Sequence, residues 1–266
     1  MKACVLLIEG TNCEDESLRA FKAVGVEAEK VHLKQLTGDC IPERRRRLAD
    51  YDILFIPGGW SAGDYVRAGA IFAARLKSRL GGELNEFAGE GRRVIGVCNG
   101  FQVLVEAGLL PGFYGVSDRP EAVLAINADG RFQCRPTYLR HANRCRITEG
   151  ISEGTVMQIP VAHAEGRLTF GAGDGEMLAK LRENRQIVFA YCRPDGKPAG
   201  GEFPWNPNGS LADIAGICNP EGNVLGMMPH PERVINPTQQ ADWTRKKYAE
   251  GDGLKFFKSI AENMKH

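Results

Sequence analysis

Over the first 110 residues, short apolar runs alternate with helix-length amphipathic stretches, a pattern that predicts a parallel β-sheet with helices on both faces. Ala3 to Ile8 reads as a buried strand, and Glu14 to Val24 as a helix with Leu18, Phe21 and Val24 on one face. Val26 to Leu33 follows as a second strand. Ile53 to Ile56 is a third, closed by Pro57-Gly58-Gly59, and a helix is expected from Ala70 to Phe87 with a break at Gly81-Gly82. Val94 to Val97 is a fourth strand, and it ends on Cys98. Beyond residue 111 the segments shorten and become β-rich. Ala122 to Ile126, Val156 to Ile159, Ile187 to Tyr191, Ala212 to Ile217 and Val224 to Met228 are expected as antiparallel extensions of the same sheet. Leu254, Phe257, Ile260 and Met264 recur at helical spacing, which predicts a last helix packed back on the sheet. Residues 37–50, with Pro42 and the run Arg44 to Arg47, read as an exposed turn or short helix whose charges are solvated. Arg193 to Gly209 holds four Pro and four Gly and reads as a turn-rich surface loop rather than a linker, so residues 1–266 are expected to form a single domain.

Composition narrows the function classes. A chain of 266 residues with 43% hydrophobic content buries a sizeable core. Thirty-four Lys and Arg nearly balance 33 Asp and Glu, so no broad field recruits nucleic acid or anionic lipid. The first apolar run stops at Glu9, too short for a signal-peptide core or a membrane span, and a cytoplasmic protein is expected. Eight cysteines contain no Cys-x-x-Cys pair, which indicates neither a disulfide framework nor a zinc site. One of these thiols is free to be a nucleophile.

Val94-Ile-Gly-Val-Cys98-Asn-Gly100-Phe-Gln102 joins an apolar strand to a helix through a sharp, Gly-flanked turn. A side chain at such an elbow is presented outward, and the following helix N-terminus favours thiolate over thiol at Cys98. A thiolate that attacks a carbonyl needs a general acid/base and a group to orient it. Met227-Met-Pro-His230-Pro-Glu232 offers both, since in an extended segment His230 and Glu232 face the same side. Pro57-Gly58-Gly59-Trp60-Ser61 is a second strand-to-helix loop at the same predicted sheet edge. The backbone N–H groups of Gly59 and Asn99 are the candidate oxyanion donors. Neither G-x-x-x-x-G-K-[ST] nor G-x-G-x-x-G is present, so a phosphate cradle is not indicated.

Together, the Gly-rich loop, the G-x-C-x-G elbow and the late His-x-Glu resemble the class I, triad-type glutamine amidotransferases. The wording of four longer stretches is narrower: PGGWSAGDYVRAGAI, GVCNGFQVL, PVAHAEGR at Pro160 to Arg167, and NPNGSLADIAGICNPEGNVLGMMPHPERV. With TNCE at Thr11 to Glu14, they are similar to the glutaminase subunits of phosphoribosylformylglycinamidine synthase, from about residue 3 to residue 260. Trp60 and Ala62 stand where that family commonly has Phe and Tyr, Ala164 stands where Gly is commoner, and residues 37–50 look like an insertion.

The resemblance implies a three-layer, flavodoxin-like α/β sandwich and a division of labour. This chain would cleave the side-chain amide of glutamine through a Cys98 thioester, with His230 and Glu232 completing the triad and Gln102 contacting the substrate. His163 and Glu165 would line the pocket, face a partner or make ordinary hydrogen bonds. No cofactor is expected on this chain. A synthetase subunit would bind ATP and magnesium, and a small third subunit would help to assemble the complex. Two other readings share the elbow: a glutaminase serving another acceptor, and a cysteine hydrolase or stress protein working without a synthetase.

Overall fold

The computed structural model describes residues 1–262. The chain runs β1 (Lys2–Leu7), α1 (Glu14–Ala23), β2 (Glu27–His32), α2 (Leu33–Thr37), β3 (Ile53–Ile56), α3 (Ala70–Gly89), β4 (Arg93–Val97) and α4 (Asn99–Glu106). It continues through β5 (Val123–Ile126), β6 (Gln133–His141), β7 (Val156–His163), β8 (Glu165–Thr169), α5 (Asp174–Glu183), β9 (Ile187–Cys192), β10 (Ile214–Cys218), β11 (Val224–Met227) and α6 (Gly253–Glu262). Nine strands form one sheet in the order β2-β1-β3-β4-β11-β10-β9-β6-β7. Its first five strands are parallel and the rest antiparallel.

On one face α1 and α6 close over the parallel strands, with Phe21, Phe55 and Phe257 meeting edge-on at centroid distances of 5.3 and 5.2 Å. On the other face α4 lies so close to β11 that a Cβ on Gly226 would fall 2.0 Å from the Phe101 ring. The result is the expected helix–sheet–helix sandwich.

Several expectations need correction. The strand Val224–Met227 is not an antiparallel extension: it sits parallel beside β4, pairing Val224 with Val94 and Met227 with Val97. All four of its residues are buried, and an unbroken apolar run carries no signal of strand direction. The strand at Val123–Ile126 lies outside the large sheet and pairs only with β8 as a two-stranded ribbon. β6 was hidden by Pro136, which faces Pro160 across the β6–β7 pair, and α5 by its low apolar content. Helix α3 passes through Gly81-Gly82 without a break, because Leu76, Leu80, Leu84 and Phe87 anchor its buried face while Gly82 is exposed.

Residues 37–50 form the end of α2 and two single turns, Pro42–Arg44 and Leu48–Asp50, as the sequence predicts. Their basic run is solvated yet paired, Arg46 to Glu29 at 3.2 Å and Arg47 to Asp50 at 2.5 Å. The loop 193–209 is tied down by Asp213, whose carboxylate accepts the N–H groups of Gly200 and Gly201 at 2.7 and 2.8 Å. Met264 lies outside the described residues. No helix among them is long and apolar enough to cross a membrane.

Two glycines make opposite predictions. A Cβ on Gly100 would stand 1.9 Å from the Ile56 carbonyl oxygen, so Gly100→Ala should destabilise the fold by about 2 kcal/mol or more. At Gly82 nothing lies within 4 Å of an added Cβ, and Gly82→Ala should stabilise α3 by about 0.5–1 kcal/mol. Urea midpoints of the two variants against the parent chain measure both.

Candidate active site

The loops following β1, β3, β4 and β11 converge at one end of the parallel strands, the edge where open α/β sheets place their chemistry. Only Cys98 separates the last residue of β4 from the first of α4, and its backbone is left-handed at φ 52° and ψ −108°. Such a conformation costs a residue with a Cβ about 1–3 kcal/mol and persists where its surroundings over-determine it. Here the Cys98 N–H donates to Met227 O at 2.8 Å, and the Gln102 N–H donates to Cys98 O at 3.1 Å. Gly96 and Gly100 make the sharp turn possible: a Cβ on Gly96 would meet Gly100 O at 2.4 Å. The Cys98 side chain is almost fully buried, with its sulfur 3.6 Å from Ala162 O.

His230 and Glu232 do come together, though by a different backbone route from the expected extended segment. Pro231–Arg233 is a 3₁₀ turn, and it folds the carboxylate back so that Glu232 Oε1 lies 2.5 Å from His230 Nδ1. Both side chains are buried, and the His230 N–H is anchored on Pro160 O at 2.8 Å. Gly58 is the point where the three strand ends meet. A Cβ there would fall 2.7 Å from His230 Cε1, 3.3 Å from Cys98 Cβ and 3.3 Å from Cys13 Sγ.

Burial disfavours a charged His230, but Glu232 and then Cys98 and Cys13 outweigh it and hold the imidazole well above its ordinary range. Its Nε2 is buried without a hydrogen bond to any described residue, while the neighbouring Cys98 still favours the charged ring.

Gly59 and Asn99 flank this point. The β1 and β3 loops are joined by Asn12 N–H to Gly58 O (3.2 Å) and Trp60 N–H to Gly10 O (2.9 Å), which leaves Gly59's own N–H pointing out of that ribbon. Asn99 opens α4, whose first N–H groups have no intrahelical acceptor. Its side chain accepts from Ser61 N–H at 3.3 Å and donates to Gln102 Oε1 at 3.0 Å. Gln102 Nε2 in turn donates to Glu165 O at 2.5 Å.

Beside Cys98 lies a cavity of about 40 Å³, lined by Gly59, Gln102, His163 and Glu165 among others. It has room for water rather than for an amino acid. Trp60 lines its mouth and stacks on Phe132 at 6.3 Å, and Ala164 lies against it too.

Two residues of this site carry no chemical signal in the sequence. Asp64, at φ 51°, borders the cavity, and burial together with the Glu165 charge pushes its carboxyl up to about 6. Cys13 lies 4.0 Å from His230 Nδ1 and 3.0 Å from Arg233 Nη2. Cys13, His230 and Glu232 are the one group among the described residues with metal-ligand spacing. The Arg233 guanidinium against the sulfur and the Glu232 bond to Nδ1 make it a poor cation site.

A buried thiol on a strand-to-helix elbow, facing a carboxylate-bound imidazole, is the arrangement expected of a triad-type amidotransferase. The family model for the CobB/CobQ-like glutamine amidotransferase domain matches residues 1–263. Phosphoribosylformylglycinamidine synthase subunit PurQ of Archaeoglobus fulgidus is 48% identical over 99% of this chain and 97% of its own. That of Picrophilus torridus is 48% identical over 97% of each chain. Among solved structures, PurLQS from Thermotoga maritima superposes with a TM-score of 0.72 at 30% identity, covering 98% of this chain and 97% of that one. The glutaminase domain of Trypanosoma brucei CTPS, at 15% identity and a TM-score of 0.53 over 98% of this chain and 94% of that one, shares the fold. The protein is therefore a glutamine amidotransferase, and within that class the chain belongs to the PurQ family of phosphoribosylformylglycinamidine synthase subunits.

Asp64 gives a test of the site's electrostatics. Its folded value of about 6 lies above the ordinary 3.8, so stability falls as pH rises between those values, and above about 6 the fold carries a half-buried, unneutralised carboxylate. Asp64→Asn keeps the short polar side chain that tolerates a positive φ. The variant should melt higher than its parent at about pH 8, with the gain fading as pH falls below about 6 and absent below 3.8. Thermal melts across that range measure it.

Proposed function

We propose that this chain is the glutaminase subunit of phosphoribosylformylglycinamidine synthase, and that residues 1–266 act as one glutamine amidotransferase domain. The Cys98 thiolate attacks the side-chain amide carbon of glutamine. The N–H groups of Gly59 and Asn99 stabilise the oxyanion that forms, and Gln102 helps to hold the substrate. The His230 imidazolium gives its proton to the departing nitrogen, which leaves as ammonia while the glutamyl group stays on sulfur as a thioester. Neutral His230 then takes a proton from water, the hydroxide attacks the thioester, and glutamate leaves as the thiolate and imidazolium are regenerated. Glu232 fixes the ring throughout and favours its charged form.

The observation that carries this reading is the convergence of Cys98 and His230 on Gly58, with Glu232 bonded to Nδ1 at 2.5 Å. Ammonia would pass to a synthetase subunit that binds ATP and magnesium and converts formylglycinamide ribonucleotide to formylglycinamidine ribonucleotide. A small third subunit would complete the assembly, in the cytoplasm. The name of the Thermotoga maritima PurLQS complex supports partners of this kind.

Cys98→Ala should abolish glutamine-dependent synthesis of formylglycinamidine ribonucleotide by the assembled enzyme and leave ammonia-dependent synthesis unchanged, because only amide cleavage uses the thiol. Assays with each nitrogen donor check this, and equal loss of both would contradict it. A cavity of about 40 Å³ must open before glutamine enters. The chain alone should therefore hydrolyse glutamine at least about tenfold more slowly than in the complex, as measured by glutamate release.

A further inference from the structure

His163 ends β7 and is buried, and it lines the cavity beside Cys98. Its ring is built into place. Asn127 Nδ2 donates to the carbonyls of Arg131 (2.7 Å) and His163 (2.9 Å), which makes Asn127 Oδ1 an acceptor. That oxygen takes the Gly166 N–H at 3.2 Å and lies 3.1 Å from His163 Nδ1. Nδ1 therefore carries the hydrogen and Nε2 is a bare lone pair. Gly166 leaves no slack, since a Cβ there would lie 2.6–2.9 Å from three atoms of the imidazole.

Nε2 of His163 is buried and has no partner among the described residues. Burial and the neighbouring charge of His230 push the ring down to about 3, so it remains neutral wherever the protein works. An unpaired buried acceptor costs about 1–3 kcal/mol, a cost that a ligand's donor would remove.

We propose that His163 is a specificity-determining residue, whose Nε2 accepts a hydrogen bond from the side-chain amide nitrogen of the substrate. This rests on the glutaminase reading and deepens it. Glutamine presents N–H groups at that position and glutamate presents only acceptor oxygens. The same lone pair therefore favours the amide over the product acid and attracts the nitrogen that leaves as ammonia. A site built around a hydrogen bond discriminates strongly against an analogue that cannot make it.

The test compares two variants in the assembled enzyme. His163→Asn keeps a donor toward Asn127 but has nothing at the Nε2 position, whereas His163→Gln puts an amide oxygen there. Each is assayed for glutamine hydrolysis and for alkylation of Cys98 by diazo-oxo-norleucine, a glutamine analogue with no side-chain N–H. The kcat/KM for glutamine should fall about ten- to a hundredfold in His163→Asn and recover to within about threefold in His163→Gln. The alkylation rate should stay within about twofold of the native rate in both. Alkylation that slows in step with glutamine hydrolysis would reduce His163 to a packing role and overturn the proposal, as would full glutamine activity in His163→Asn. Should His163→Asn melt below the assay temperature, His163→Leu, which fills the ring's volume without an acceptor, takes its place with the same expectations. A native enzyme that neither hydrolyses glutamine nor reacts with the analogue would instead refute the glutaminase reading itself.

Discussion

The close approach of three strand ends at Gly58 is the constraint on which the site depends. There is no room for one carbon atom between the β3 loop, the elbow at Cys98 and the ring of His230. The same closeness recurs one layer out, where Gly100 rests on the Ile56 carbonyl and Gly96 on Gly100. These contacts let α4 start one residue after β4 ends, and they force Cys98 into its left-handed backbone. The thiol's position is thus a property of the packed sheet, set by residues that have no chemistry of their own. A rigid parallel sheet offers such precision in a way that a mobile loop does not.

Around that fixed thiol the protein drives two imidazoles in opposite directions. His230 sits against Glu232 and the two nearby sulfurs and is held in its charged form, which suits a ring that hands a proton to a leaving nitrogen. His163 lies beside it without a carboxylate, is bonded to the neutral Asn127 amide, and is held neutral in part by the charge of His230. One ring is a donor and the other an acceptor. Asp64 and Glu165 also line the cavity beside Cys98, and burial together with the Glu165 charge raises Asp64.

Much of this was legible in the sequence, and the failures have physical reasons. Cys98 announced itself through the strand–Gly–helix pattern, which is local, and His230 and Glu232 through their place after an apolar strand. The turn that joins the latter pair reads as extended in the sequence, yet Pro231 is equally at home in the 3₁₀ turn that forms. The parallel direction of β11 is a long-range fact with no trace in four buried apolar residues. The unbroken α3 reflects tertiary packing that overrides two glycines. Asp64 and Cys13 lie inside stretches that the family resemblance singled out, yet their proximity to the thiol and the imidazole arises only when the β1 and β3 loops pair. The bare Nε2 of His163 depends on which way the Asn127 amide points, and a sequence holds no record of that.

Under the proposed reaction Cys98 takes the glutamyl group. The assembled enzyme, mixed with glutamine and quenched in acid within its first turnover, would be analysed by mass spectrometry of the intact chain and its peptides. A gain of one glutamyl group, confined to the peptide that carries Cys98, is expected. An adduct on the peptide of Cys13, the other sulfur beside His230, or ammonia release with no adduct at all, would contradict it.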